Sequence, residues 1–390
     1  MLAVHGGAGI IMRSQLTPDM EEQFRSAIRD ALSVGYDTLK QKHVAVDAVE
    51  AAIRCLEDCP HFNAGKGSVF GNDGKIKMDA SIMVCTSDSK QTSCSSRQSL
   101  DEDDATPQNN KQLRYHYRTT STPKSLAGAV AGVQNIKNPI TLARAVMEQT
   151  QHVLLIGKGA EEFAKQSGTI ETRSDEYFYT HHRWEQLMKI RKKEEEMKLR
   201  QQQQKQHPNE DRLLTTLTQL DHASDTDEAI LDHDERKFGT VGCVALYDGR
   251  AARNSLQQLA AGTSTGGVTN KRFDRVGDSA IIGAGNYANH LCAISCTGIG
   301  EEFIRAVAAH DIAKRLEFKY GYGSATNEGK WNALEYAVEE VVFRTLEKGS
   351  GGVIALDRDG HFSAQMNTSG MYHGWVYEDG KMETRIFVDE

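Results

Sequence analysis

The sequence predicts an α+β chain in which two packed sheets carry helices on their outer sides. Amphipathic helical patterns come in pairs, one pair early and one late, and short apolar segments punctuated by glycine surround both. Each half of the chain therefore supplies strands and helices. Two polar stretches, about 85–124 and about 171–238, hold little that forms a core, and the remaining roughly 280 residues suffice for one large domain.

Leu2-Ala3-Val4 reads as a short buried strand cut short by Met1. It delivers His5-Gly6-Gly7-Ala8-Gly9, a loop made for close backbone approach or simply a tight turn. From Pro18 to Lys40, Met20, Phe24, Ala27, Ile28, Ala31 and Leu32 recur at helical spacing behind a Thr17-Pro18 start signal. Val44 to Leu56 repeats the pattern. Between Leu56 and Phe70, Pro60, Gly65 and Gly67 disfavour regular structure, so the carbonyls there need a bound cation or ordered water as partners.

Lys75 to Val84 alternates like a strand with a buried end. The stretch from Cys85 to Lys124, with its run Asp101-Glu102-Asp103-Asp104, reads as a disordered surface insertion. Order returns with a small-residue strand over 125–133, a helix from Ile140 to Thr150, a strand at 153–157 and a helix from Lys158 to Gln166. Trp184 to Gln206 is rich in helix formers but has almost no apolar stripe, which predicts a solvated helix that tethers rather than packs. Beyond Thr240 come short Gly-rich strands, then long helices over Glu301–Glu317 and Trp331–Glu347. Strands at 352–356 and 361–366, followed by Met371 to Trp375, close the chain.

A net charge of −8 provides no basic field for nucleic acid, and the apolar runs are too short and broken to span a membrane. Seven cysteines without CxxC spacing fit a cytoplasmic chain with free thiols. Met1-Leu2-Ala3-Val4 carries no signal-peptide pattern.

The chemistry centres on Gly239-Thr240. A compact apolar segment starts abruptly at Thr240 behind the polar tether. A threonine hydroxyl becomes a nucleophile when a base takes its proton, and a free α-amino group on the same residue is such a base. That amine exists only if the Gly239–Thr240 bond breaks, which predicts a self-cleaving precursor. Thr240 equally reads as the plain opening of a β-strand. Arg275 and Asp278, flanking Gly277, read either as a surface ion pair or as a clamp for a zwitterion.

Taken in order, His5-Gly-Gly-Ala-Gly9, Phe62-Asn-Ala-Gly-Lys-Gly67, Met78-Asp-Ala-Ser-Ile-Met83, Gly239-Thr-Val-Gly242, Thr263-Ser-Thr-Gly-Gly267, Arg275-Val-Gly-Asp-Ser279 and Thr297-Gly-Ile-Gly300 form a set. The set resembles the plant-type L-asparaginase/isoaspartyl peptidase family of N-terminal nucleophile hydrolases, over nearly the whole chain apart from the polar stretches. The resemblance implies a four-layer αββα sandwich matured by autocleavage into an α chain, 1–239, and a β chain, 240–390, which together make one domain. It implies a dimer of αβ heterodimers acting on L-asparagine and β-aspartyl dipeptides.

Carried onto this sequence, the resemblance makes Thr240 the nucleophile and Thr265 its hydroxyl neighbour. Arg275 would hold the substrate α-carboxylate and Asp278 its α-ammonium, with Thr297 and Gly298 as the oxyanion hole. Val276, Gly277, Ile299 and Gly300 would line the substrate site, and Asn63 would support the nucleophile. No cofactor is implied for catalysis. A structural sodium would sit on the backbone carbonyls of Leu56, Glu57, Cys59, Phe62, Ala64 and Lys66.

Four departures bear on this, the first being an opening strand that lacks its first residues at Met1. Asp274 replaces a family glycine, and its charge competes for Arg275. Ala280 replaces a proline. Ala251 to Gln258 is an apparent insertion between Thr240 and Thr265 that threatens their register. The alternatives are a taspase-like endopeptidase or a glycosylasparaginase of the same fold, a serine hydrolase using Ser264 in Gly262-Thr-Ser-Thr-Gly266, and an unprocessed, inactive scaffold.

Overall fold

The computed structural model describes residues 1–88, 124–206, 239–249, 256–321 and 333–390. β1 (Leu2–Gly9) runs straight through His5-Gly6-Gly7, so this motif is strand and not loop. A register shift between His5 and Gly7, with Gly7 at φ 116°, absorbs the irregularity. Glycine is required at position 6, where a Cβ would sit 2.2 Å from the Phe62 ring. α1 (Pro18–Lys42) begins as its sequence predicts, with the Thr17 hydroxyl accepting from Met20 N at 3.2 Å. α2 (Ala45–Asp58) follows, and β2 (Met78–Asp88) starts three residues later than the alternation suggests and runs on past Cys85. Residues 89–123, most of the first polar stretch, lie outside the described residues.

β3 (Lys124–Val133), α3 (Pro139–Gln149), β4 (Leu154–Ile156) and α4 (Gly157–Ser167) match expectation within a residue or two. The second polar stretch departs from it. Thr172 bridges to Ile136, and α5 (Asp175–Phe178) and α6 (His181–Gln206) bury Phe178, Arg183, Leu187 and Ile190. α6 is therefore a packed helix, and only 207–238 of the proposed tether lie outside the described residues.

β5 (Val241–Asp248) and β6 (Leu256–Thr265) pair without a break from Val241↔Ser264 to Asp248↔Gln257. The inserted segment, of which 251–255 are not described, leaves the register of Thr240 and Thr265 intact. β7 (Asn286–Ala288) and β8 (Cys292–Gly298) lead into α7 (Gly300–Ala306) and α8 (Ala308–Gly321), two helices where the sequence predicts one. The break is Val307, which takes a left-handed φ of 48°. α9 (Ala333–Glu339) passes into a π-helical turn at Glu340–Thr345. The chain ends in four strands, two more than expected: β9 (Gly351–Asp357), β10 (Phe362–Met366), β11 (Gly370–Val376) and β12 (Met382–Phe387).

One sheet has the order β12-β11-β1-β5-β6-β2-β3-β4, the other β10-β9-β8-β7. The three largest cores among the described residues hold them. Ile28, Leu32, Val49, Ile53 and Ile140 of α1–α3 pack on Val4, Ile82, Val241 and Ala260. Val244, Leu246, Met371 and Trp375 of the larger sheet meet Ala293, Ile354 and Leu356 of the smaller. Ile294, Cys296 and Val353 pack on Ile312, Leu316, Leu334 and Val338 of α8 and α9. β5 alternates between the first two cores, so both its faces are covered and its sequence is apolar nearly throughout.

Candidate active site

Thr240 stands at the edge of the larger sheet's central hairpin, 7% exposed. Its Oγ1 donates to Thr265 Oγ1 at 3.0 Å, and Thr265 Oγ1 also accepts from Gly267 N at 3.0 Å. The unbroken hairpin register makes this meeting possible. The Gly239 carbonyl accepts from Asn63 N at 3.0 Å, while the Asn63 side chain is fixed by Val69 N and the Gly267 carbonyl. A Cβ on Gly239 would lie 2.9 Å from Asn63 N and Cβ, so this approach needs glycine.

His5, read from sequence only as part of a glycine motif, braces Thr240. Its Nδ1 lies 3.0 Å from the Thr240 carbonyl and its Nε2 2.8 Å from Ser295 Oγ. Complete burial pushes its pKa down to about 3, so the ring is neutral: Nδ1–H donates to the carbonyl and Nε2 accepts from the serine. Gly242 leaves room for this pair, since a Cβ there would meet Ser295 Oγ at 2.0 Å and His5 Nε2 at 2.3 Å.

Arg275, Gly277, Asp278, Gly298 and Gly300 line the same pocket as Asn63, Gly239, Thr240 and Thr265. Thr297, Val276 and Ile299 adjoin that lining without forming it. Thr297 Oγ1 instead accepts from Ala8 N at 3.3 Å, and Ile299 N donates to the Ser350 carbonyl at 2.7 Å. Gly298 has φ 150° with no room for a Cβ, which would sit 2.0 Å from the Ser350 carbonyl. A Cβ on Gly300 would lie 2.8 Å from Arg275 Nη2 and 2.9 Å from Asp278 Oδ1, so that pair excludes a larger residue there.

Arg275 is not taken by Asp274. Asp274 pairs with Lys77, and its φ of 54° turns it away. Arg275 gives Nε and Nη2 to Glu301 at 2.8 and 2.7 Å, which leaves Nη1 toward Gly267 and Gly277. Asp278 is 4% exposed and its Oδ2 has no hydrogen-bond partner. Burial raises its pKa to about 7, against the pull of the Arg275 charge. A buried carboxylate with a free oxygen in a pocket is a receptor for a cation.

Ser264 is unsuited to be a nucleophile: it is fully buried in β6 with its hydroxyl on Glu57 Oε1 at 2.6 Å. In the 56–67 loop, a Cβ on Gly65 would lie 2.3 Å from the Glu57 carbonyl, and one on Gly67 2.0 Å from that of Phe62. The Leu56 and Ala64 carbonyls accept from Cys59 N and Gly67 N, each keeping a second lone pair. Among the described residues no His, Cys, Asp and Glu side chains gather as a metal cluster, so carbonyls are the donor set this loop offers.

The family model for asparaginase matches residues 1–99 and 120–386. The chain belongs to the asparaginase family. The isoaspartyl peptidase of Escherichia coli strain K12 is 38% identical over 394 residues, covering 100% of this chain and 97% of that protein. That of Salmonella typhimurium is 37% identical, with 99% and 98% covered. The plant-type L-asparaginase of Pyrococcus furiosus is 36% identical, with 97% of each covered. Membership of the asparaginase family carries the N-terminal nucleophile hydrolase fold, with which the two sheets and their helices agree. No described helix is long and apolar enough to cross a membrane.

Proposed function

We propose that the chain is a threonine amidohydrolase that converts L-asparagine to L-aspartate and ammonia and cleaves β-aspartyl dipeptides. It would do so after cutting itself into an α chain, 1–239, and a β chain, 240–390, which stay together as one four-layer αββα domain. The observation that carries this reading is Asp278: a buried carboxylate with an unpartnered oxygen, beside Arg275, in the pocket that holds Thr240.

Self-cleavage comes first. Thr240 Oγ1 loses its proton and attacks the Gly239 carbonyl carbon, whose oxygen is polarised by Asn63 N–H. The peptide C–N bond breaks as the proton shed by Oγ1 passes to the departing Thr240 nitrogen, the acyl group moves to oxygen, and water hydrolyses the resulting ester, releasing the Gly239 carboxylate and restoring the Thr240 hydroxyl. Gly239 lines the pocket, whose room for solvent is about 10 Å³ in the uncut chain. That holds about one water, so the departure of Gly239 is what admits an amino acid.

The freed α-amine of Thr240 then serves as base. Arg275 takes the substrate α-carboxylate through its pocket-facing end, and Asp278 the α-ammonium. Thr240 Oγ1 attacks the side-chain amide carbon, Thr297 and Gly298 N–H stabilise the oxyanion, and the amine proton passes to the leaving nitrogen. Ammonia, or the remainder of the dipeptide, departs. Water hydrolyses the acyl-enzyme and aspartate leaves.

A sodium ion on the carbonyls of Leu56, Glu57, Cys59, Phe62, Ala64 and Lys66 and a dimer of αβ units complete the proposal. The free thiols support a cytoplasmic setting. Turnover tests the function directly. Purified, cleaved protein incubated with L-asparagine or with a β-aspartyl dipeptide is expected to release ammonia or free amino acid in proportion to aspartate; no release from either substrate contradicts the reading.

A further inference from the structure

The loop from Gly266 to Gly277 connects Thr265 to the Arg275–Asp278 pair and is strained. Asn270, Phe273 and Asp274 all have left-handed backbone, at φ 65°, 54° and 54°. Non-glycine residues hold such angles only where their surroundings over-determine them. Part of the support comes from the 70–72 segment: Asn270 N donates to the Phe70 carbonyl at 2.8 Å, Asn72 N to the Lys271 carbonyl at 2.9 Å, and Asn72 Nδ2 to Asn270 Oδ1 at 2.8 Å.

Lys77 adds to it by pairing with Asp274 and accepting from Lys271 Nζ through its carbonyl, and a further part comes from α6. Glu194 Oε1 accepts from Asn270 Nδ2 at 2.8 Å, and its Oε2 from Arg272 Nη2 at 2.6 Å. Arg191, one turn earlier, donates to the Asn72 carbonyl at 2.5 Å. Arg275 N donates in turn to the Arg272 carbonyl at 3.1 Å, so the residue gripped by Glu194 is the one on which the backbone of Arg275 rests. The Glu194 side chain is only 24% exposed, unlike a freely solvated surface charge.

We propose that Glu194 is a positioning residue for substrate binding: by holding Asn270 and Arg272 together it fixes the loop that presents Arg275 to the α-carboxylate of an amino-acid substrate. The inference rests on the role given to Arg275 above. Glu194 does not line the pocket, so its effect is on binding and not on the chemical step. It also assigns a task to α6 beyond that of a linker.

Glu194→Ala, Glu194→Gln and Arg275→Lys in the full chain test this with L-asparagine as substrate. Glu194→Ala is expected to raise KM about five- to tenfold, with kcat within about twofold and fragment pattern unchanged. Glu194→Gln, which keeps an acceptor for Asn270 but loses the charged partner of Arg272, is expected to raise KM by less than Glu194→Ala. A KM for Glu194→Ala within about twofold of wild type overturns the proposal, as does a fall in kcat and melting temperature at unchanged KM, the mark of a merely structural contact. If Arg275→Lys also leaves KM unchanged, the role of Arg275 has failed and the proposal with it; if Arg275→Lys raises KM and Glu194→Ala does not, only the role of Glu194 has failed.

Discussion

Asp278 shows how burial and charge compete at one residue. Desolvation lifts its pKa to about 7 although Arg275 lies beside it. A carboxyl whose folded pKa exceeds its unfolded value favours folding below about pH 4, and that contribution is lost as pH rises through about 7. Thermal melts should therefore find Asp278→Asn more stable than wild type at pH 8 and little changed at pH 4. Substrate binding runs the other way, because an α-ammonium needs the ionised form. Steady-state kinetics should show KM for L-asparagine falling as pH rises from 6 to 8, and a high, flat KM in Asp278→Asn; a wild-type KM independent of pH in that range contradicts the role. That Thr240, Thr265, Arg275 and Asp278 belong together was legible from sequence as a set of motifs, and they line one pocket. His5 and Ser295 were not, because what qualifies them is a distance across 290 residues of chain.

At the scale of elements, the β5–β6 hairpin sets the distance between Thr240 and Thr265, and Gly242 is one position where it meets the second sheet. Its missing Cβ would overlap Ser295 Oγ and His5 Nε2. Gly242→Ala should cost about 1–3 kcal/mol, a drop of several degrees in melting temperature, and slow the appearance of fragments as the Thr240 carbonyl loses its brace; an unchanged melt and cleavage rate contradict this. α1 and α2 were readable because their apolar periodicity is what buries them. α6 was misread for the converse reason: Arg183 donates to the Gly67 carbonyl, and Arg191 and Glu194 bind polar groups of neighbouring loops. A reading by hydrophobic period counts such a helix as solvated. The kink at Val307 escaped as well, since valine gives no sign that it will adopt a left-handed conformation.

The whole molecule interleaves the two sides of the proposed cut. In the larger sheet β1, from before Gly239, lies between β11 and β5, both from after it, and β6 pairs with β2. Fragments cut at Gly239–Thr240 should therefore co-elute as one particle in native size-exclusion chromatography and part only in denaturant; separation under native conditions contradicts the described sheet order. Two sheets with helices outside were foreseeable from the alternation of short strands and paired helices. The docking of β11 on β1 was not, because a pairing that runs from Leu2↔Val376 to Gly9↔Gly370 leaves no local signal.

The central claim is that Thr240 becomes an N-terminal nucleophile by cutting its own chain, and one denaturing gel with terminal sequencing tests it. Wild type should give two fragments, one beginning Thr240-Val241-Gly242, while Thr240→Ala stays whole at 43.1 kDa. A wild-type chain that remains intact, or a Thr240→Ala chain that still splits at this bond, would contradict the account and favour an unprocessed scaffold or a cut made by another agent.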